Sequence, residues 1–417
     1  MNIPFKKADI LVPKNVDMSK WAVVACDQYT SEPEYWKEVE NIVSRESSTL
    51  NLIIPEIYLE ESNVEKRITK VNDEMKEYLQ KGIFETLENS LVYIERTGSN
   101  GKVRQGIIGM VDLEEYSYER GVESLIRATE GTVLERIPPR VKVRQNAEIE
   151  LPHVMILIDD EKKEIIENVQ TQVAEKIYDF ELMQNGGHIK GYKVSDEGVN
   201  SIFKGLEGLA EKEEFNKKYG VNGKEVLLFS VGDGNHSLAT AKTCYENLKK
   251  QLPKEEYENH PARYALVEIV NLHSEALEFE PIHRVVFEVD AKDMVEELGK
   301  FYNISKDGNG QKIEYVYKDE SDTIYIQNPK SNLAVGSLQI FIDDYISKKG
   351  GKVDYIHGDD VVKTLGKGEG NIGFLLEGMD KSDLFKTVIL DGALPRKTFS
   401  MGHSNDKRFY LEARKIK

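Results

Sequence analysis

The sequence predicts a mixed α/β protein, and three observations carry that reading. Strand-like apolar runs alternate with segments of helical spacing from one end to the other. No internal repeat, low-complexity stretch or long Pro- or Ser-rich linker interrupts them. One apolar run passes through a glycine-rich turn straight into a helical pattern, "LLFSVGDGNHSLATAK", from Leu227 to Lys242. A chain of 417 residues exceeds what one core usually organises, about 250–300 residues, so two or three packed units are expected. Changes in texture suggest an α/β unit over 1–123, a central domain over 124–290 and an α/β unit over 291–417.

In the first segment "WAVVACDQYT" reads as a buried strand holding Cys26, and "SEPEYWKEVENIVSR" as a helix opened by Ser31, Pro33 and Glu34. "EKRITKVNDEMKEYLQKG" is an amphipathic helix closed by Gly82, and "SLVYIERTGSNGKVRQGIIGMVDLEEY" a hairpin turning at "SNG". In the central segment "HVMILIDD" is a strand and "EKKEIIENVQTQVAEKI" a helix. Val199, Ile202, Phe203, Leu206 and Leu209 mark another helix. Val226–Val231 is the strand before the glycine turn, and the helix after it runs to about Leu248. "ARYALVEIVNLHS" and "EPIHRVVFEV" are strands. The last segment holds a helix in "AKDMVEELGKFY", strands around "IEYVY" and "TIYIQ", and a helix in "SLQIFIDDYISKK".

The formal net charge is −17, which argues against a nucleic-acid partner, because that affinity comes mostly from Lys and Arg neutralising phosphates. No stretch approaches the roughly 20 apolar residues of a membrane span. With two cysteines, Cys26 and Cys244, and no apolar leader near the N-terminus, a cytoplasmic location is expected. Self-association is left open.

The glycine turn is the strongest candidate site. Helix geometry leaves the first N–H groups after such a turn without intrahelical acceptors, where the positive end of the helix dipole favours an anion. Gly232 and Gly234 let backbone approach a phosphate, and Asn235 or Ser237 caps the helix. Asp233 holds a metal or accepts a proton, and His236 touches phosphate or serves as acid or base. The plainer alternative is a structural junction whose polar residues only cap. No Gly-Lys-Ser/Thr follows, so this is not a standard P-loop.

In this acidic chain Arg127, Arg136, Arg140 and Arg144 gather within "IRATEGTVLERIPPRVKVR". They suit bidentate phosphate binding, or else ordinary ion pairs with Glu123, Glu130, Glu135 and Glu148. Arg127 is the preferred ligand contact and Glu130 a candidate base. In "PIHRVVFEV" strand alternation sends His283 to the face of Val285, as a core histidine, and Arg284 to the opposite face, as a ligand contact. Arg396, Lys397 and Thr398 offer cations and a hydroxyl, or a solvated loop. Asp27 and Tyr29 follow the first strand, a position from which they could line a pocket. "YIHGDD" brings His357, Asp359 and Asp360 together, and a metal-dependent hydrolase built around His357 and Asp359 is a third reading, although three such neighbouring residues seldom converge on one ion without distant ligands.

"GDGNHSLATAK", with "IPFKKADILVPK", "PIHRVV", "YIHGDD" and "LPRKTF", resembles the prokaryotic family known as domain of unknown function 1015 along nearly the whole chain. The Asp-Gly-Asn-His box is in turn similar to the phosphate loop of the ParB and sulfiredoxin superfamily, which includes nucleotide-using CTPases and an ADP-dependent free serine kinase. The resemblance implies a ParB/sulfiredoxin-like nucleotide-binding core with N- and C-terminal α/β extensions. Asn235 stands near the place of the sulfiredoxin cysteine, which weakens a redox reading. His236 and Ser237 stand where ParB-like CTPases carry arginines. The kinase's Asp-Gly-His-His-Arg box matches at Asp233, Gly234 and His236, with Ser237 in place of its last arginine.

The resemblance implies a kinase or phosphohydrolase that uses a nucleotide with Mg2+, acting on a phosphorylated small metabolite. Serine or phosphoserine is suggested by the kinase and by the family's tendency to neighbour serine-biosynthesis genes. Asp233, His236 and Glu130 are then the expected catalytic residues, with Asp233 also the metal ligand. Gly232, Gly234, Asn235, Ser237, Arg127, Arg284 and Arg396 are the expected phosphate or nucleotide contacts. The alternative is a non-catalytic protein that senses a nucleotide or metabolite at the same site.

Overall fold

Ten strands form the largest sheet of the computed structural model, which describes residues 3–30, 32–132 and 134–417. In chain order they are β1 (Phe5–Lys6), β2 (Val92–Thr97), β3 (Val103–Asp112), β4 (Tyr116–Ser117), β5 (Ile126–Ala128), β6 (Met155–Ile158), β7 (Val173–Glu181), β8 (His188–Val194), β9 (Phe229–Asp233) and β10 (Tyr264–Asn271). Across the sheet the order is β7-β8-β2-β3-β10-β6-β9-β5-β4, with β1 on β3. The fold is mixed α/β. Strands from the stretches 1–123 and 124–290 interleave within this one sheet.

The chain divides into two compact units, one of Met1–Leu277 with His403–Lys417 and one of Glu278–Gly402. The C-terminal segment of the first unit is built into its core. Phe409–Tyr410 pairs antiparallel with Val23–Val24, and Arg414–Lys415 with Ile149–Glu150. Phe409, Tyr410, Leu411, Ala413 and Ile416 are buried with Trp21, Trp36 and Ile149. Burial of each large side chain contributes about 1.5–3 kcal/mol, which offsets the roughly 1–2 kcal/mol needed to order each residue's backbone.

The expected helices of the first unit form over Pro33–Val43 and Val64–Gln80. Pro33 occupies the first helical position, whereas Ser31 lies outside the described residues. The central helices run over Asp196–Leu209, Lys212–Tyr219 and Asn235–Lys249. The helix expected in "EKKEIIENVQTQVAEKI" is corrected: this stretch holds a short 3-10 turn over Glu167–Thr171 and then enters β7. Its apolar spacing suits either state, and the β7–β8 ladder, from Val173↔Val194 to Glu181↔His188, decides it. Among the described residues no helix is long and apolar enough to cross a membrane.

The second unit holds a six-stranded sheet with His283–Phe287 between Ile372–Leu375 and Lys352–Ile356. Both faces of that strand are covered. Val286 joins the core with the helices Ala291–Phe301 and Ala334–Lys349, while Val285 packs with Val362 of the helix Asp359–Gly366.

Candidate functional site

β9 lies between β6 and β5, antiparallel to the first and parallel to the second. Its last residue, Asp233, is opposite Met155, so the glycine turn sits beside the residues that lead into β6. Gly234 makes the turn at φ 80° and is the N-cap of the Asn235–Lys249 helix. This left-handed conformation favours glycine, and space adds a second reason. A Cβ on Gly234 would stand 3.0 Å from Val154 Cα and 3.4 Å from His153 Cδ2.

The helix has no side-chain cap, so the cap expected of Asn235 or Ser237 is corrected. Asn235 is already the first helical residue, and its Nδ2 points back to donate to Thr129 Oγ1 (3.3 Å) and Val231 O (3.5 Å). Thr129 Oγ1 donates to Val231 O at 2.6 Å, tying the end of β5 to the turn. Asn235 Oδ1 is buried and has no hydrogen-bond partner among the described residues. The first intrahelical bond runs from Leu238 N to Gly234 O at 3.0 Å. The preceding first-turn amides therefore point along the axis toward the turn.

Asp233 is half-buried. Its Oδ1 accepts from Gly234 N at 3.0 Å and its Oδ2 stands 3.6 Å from Lys407 Nζ. Gly232, His236 and Ser237 are likewise half-buried. Glu130 lies two positions beyond Ala128, the last β5 residue paired with β9, whose partner is Val231.

Side chains distant in sequence complete this end of the sheet. His153 is buried, its Nδ1 2.7 Å from Tyr410 Oη and its Nε2 3.8 Å from Asp27 Oδ2. Tyr410 Oη also lies 3.1 Å from Cys26 Sγ. Burial, followed by the neighbouring Asp27 charge, pushes the Cys26 thiol up to about 12, so it stays protonated at neutral pH. Burial works against the Asp27 carboxylate too. The charge of His153, a hydrogen bond from Gln28 and the charge of Lys407 outweigh it and hold Asp27 below the usual carboxylate range.

The expected arginines are placed elsewhere. Arg127 is buried on β5, with Nε donating to Ser124 O (2.8 Å) and Nη2 to Glu225 O (2.8 Å). Ser124 precedes β5 and Glu225 precedes its parallel neighbour β9, whereas the turn lies at the opposite end of β9. Arg140 pairs with Glu56, and Arg144 with Glu150 at 2.5 Å. Arg284 and Arg396 belong to the second unit. Arg284 does point away from His283, but the face it meets is covered. It is fully buried, donating to Gln339 Oε1 at 3.2 Å, to Ile282 O, and to Arg396 O at 3.1 Å. His283 is buried as well, accepting from Leu376 N at 3.1 Å and facing Asp359 Oδ1 at 3.0 Å.

Among the described residues, three metal-ligating side chains converge in one place, at Asp159, Glu161 and His273. There Lys218 Nζ already stands 2.9 Å from Asp159 and 3.4 Å from Glu161. At the turn, Asp233 suits the way magnesium is commonly held, by one or two carboxylates together with substrate phosphates. Its Oδ2 accepts no hydrogen bond among the described residues.

His153 and Lys407 were not foreseen from the sequence. His153 is the first residue of the run read as a strand, a strand-end position comparable to that of Asp27, and this is its one local signal. Lys407 has none.

The family described as protein of unknown function DUF1015 matches residues 3–345, and the chain belongs to it. No curated protein matches. Among solved structures the chain is similar to a free serine kinase in complex with AMP, at 11% identity and TM-score 0.38, covering 76% of this chain and 92% of that one. It is also similar to a conserved hypothetical protein from Pyrococcus furiosus, at 11% identity and TM-score 0.35, covering 74% and 92%. SbnI from Staphylococcus aureus, truncated at its C-terminus, matches at 9% identity and TM-score 0.35, covering 71% and 82%. Scores this low carry no function across.

Proposed function

For this member of the family we propose an enzyme that binds the phosphates of a nucleotide or a phosphorylated small metabolite at Gly232–Ser237 and transfers or hydrolyses a phosphoryl group. The observation that supports it is the company of the turn: a helix N-terminus meets Asp233, Lys407, His153 and Asp27, whose mutual contacts are long. Gly232 and Gly234 let the backbone approach, the first-turn amides bind phosphate oxygens, and the Ser237 hydroxyl lies in the same turn. His236 and Glu130 are the proposed acid and base at the reacting group. The 3.8 Å between His153 Nε2 and Asp27 Oδ2 is too long for a direct hydrogen bond and suits a bridging hydroxyl. A serine-like hydroxyl acceptor agrees with that gap.

Asp233 would hold a magnesium ion arriving with the nucleotide. Such an ion supplies charge neutralisation between phosphate oxygens. In this reading Arg127, committed to carbonyls at the far end of β9, has no part at the turn, and the cation there is Lys407.

A thermal-shift series with ATP, ADP, phosphoserine and inorganic phosphate, with and without magnesium, tests the binding. A ligand at a hundred times its Kd raises stability by about 2.7 kcal/mol. Phosphate release or transfer is then measured with whichever compound stabilises. Asp233→Asn and His236→Ala should each lower turnover by on the order of a hundredfold while Tm barely moves. No shift with any phosphate compound would overturn the reading. Binding without turnover would leave a sensor.

A further inference from the structure

We propose that Lys407 is the phosphate-binding cation of the turn, filling the role that Ser237 cannot; this deepens the function proposed above and rests on it. Lys407 lies beyond the residues matched by the family model and reaches the turn through the C-terminal segment that rejoins the first unit.

The argument begins with what a buried ammonium requires. Lysines are almost never fully buried unless paired and hydrogen-bonded, because a desolvated charge is costly. Lys407 is 7% exposed. Among the described residues its Nζ makes one ion pair, to Asp233 Oδ2 at 3.6 Å, and donates no hydrogen bond. An ammonium carries three donors, and a strong charge-assisted contact is nearer 2.7–2.9 Å. The group is thus under-satisfied and is aimed at the carboxylate that ends β9, next to the first amides of the Asn235–Lys249 helix. A dianionic phosphate oxygen placed there would accept from Lys407 and from the helix N-terminus together.

The backbone that carries Lys407 is clamped. Arg96, itself buried, donates to the carbonyls of Asp406 (3.3 Å), Asn405 and Lys407, and also to Gly186 O at 2.8 Å. Arg104 donates to Asp406 O at 3.0 Å and is anchored by Glu268 at 3.1 Å. On the other side Asp406 Oδ1 accepts from Ser99 N at 3.2 Å, in the β2–β3 turn. Two buried guanidiniums spent on the carbonyls of one short segment fix where its side chain projects. A surface lysine needs no such support.

The test is calorimetric titration of the full chain with ADP, ATP and inorganic phosphate, with adenosine as the phosphate-free probe. Lys407→Met keeps the apolar stem and removes the charge. It should weaken ADP and ATP by on the order of ten- to a hundredfold and leave adenosine unchanged. Lys407→Arg should restore part of the loss. Equal ADP affinity in wild type and Lys407→Met overturns the role of Lys407 alone. A wild type that binds no phosphate compound removes the function reading beneath it as well. Should Lys407→Met fail to fold, the wild type is treated with pyridoxal phosphate and borohydride, then mapped by mass spectrometry. Lys407 modified, and protected by ADP, supports the assignment. Lys407 untouched by a reagent that ADP displaces overturns it.

Discussion

The two ends of β6 carry nearly the same chemistry and use it differently. Before the strand stands His153, with Asp27, Asp233 and Lys407; beyond it stand Asp159 and Glu161, with His273, Lys218 and Tyr219. At the far end the contacts to Asp159 are all short: His273 Nε2 to Asp159 Oδ1 is 2.6 Å, Tyr219 Oη to Asp159 Oδ2 2.5 Å, and Lys218 Nζ to Asp159 Oδ1 2.9 Å. At the turn Lys407 Nζ stands 3.6 Å from Asp233 and His153 Nε2 3.8 Å from Asp27, beside a glycine-bearing backbone. Residue type alone does not mark a site. A histidine, an aspartate and a lysine that satisfy one another are a structural knot, and the same three held slightly apart leave capacity for something else.

The largest effect that could break this comparison is at the knot. Asp159→Ala removes the shared partner of three groups and should cost about 3 kcal/mol in chemical unfolding, with phosphate-ligand affinity at the turn unchanged. Wild-type stability, or lost ligand binding, would mean the two ends are not divided as described. A smaller effect sharpens the other side. Gly234→Ala puts a Cβ at φ 80° against Val154, and should cost about 1–2 kcal/mol while weakening ligand binding. Unchanged affinity would detach the turn's geometry from binding.

The smallest effect is on pH. Burial raises the Asp159 carboxyl, but hydrogen bonds from His273, Tyr219 and Lys218 outweigh it and hold its pKa low. Asp27 is also held low. A carboxyl whose folded pKa lies below its unfolded value, about 3.9, adds stability that is present above about pH 4 and lost as pH falls through the folded pKa. Tm measured downward from about pH 5 should therefore fall less steeply in Asp159→Asn than in wild type. Parallel curves would show that the knot contributes nothing through titration.

How much of this was legible beforehand follows from sequence separation. The turn was readable because its signals are local: an apolar run, Gly232 and Gly234, and helical spacing through Leu238, Ala241 and Tyr245 all fall within one short stretch. Alternation correctly set His283 and Arg284 on opposite faces, but it says nothing about what covers a face. Arg284 is buried because the helix Ala334–Lys349 lies over it, delivering Gln339. The misread helix before β7 fails for a similar reason, since its pairing partner β8 decides its state. His153 and Lys407 arrive by register and by the return of the chain, and neither leaves a pattern in its own neighbourhood.

That return has a consequence in time. The whole of Glu278–Gly402 stands between the turn and Lys407 in the order of synthesis. A ribosome completes the loop, the ten-stranded sheet and the entire inserted unit before it makes the segment that brings the cation. Until then Val23–Val24 and Ile149–Glu150 wait as open edges for the antiparallel partners that Phe409–Tyr410 and Arg414–Lys415 supply. The nascent protein therefore carries the turn without its charge, and a chain cut short after the inserted unit has exposed strand edges and no lysine at the turn.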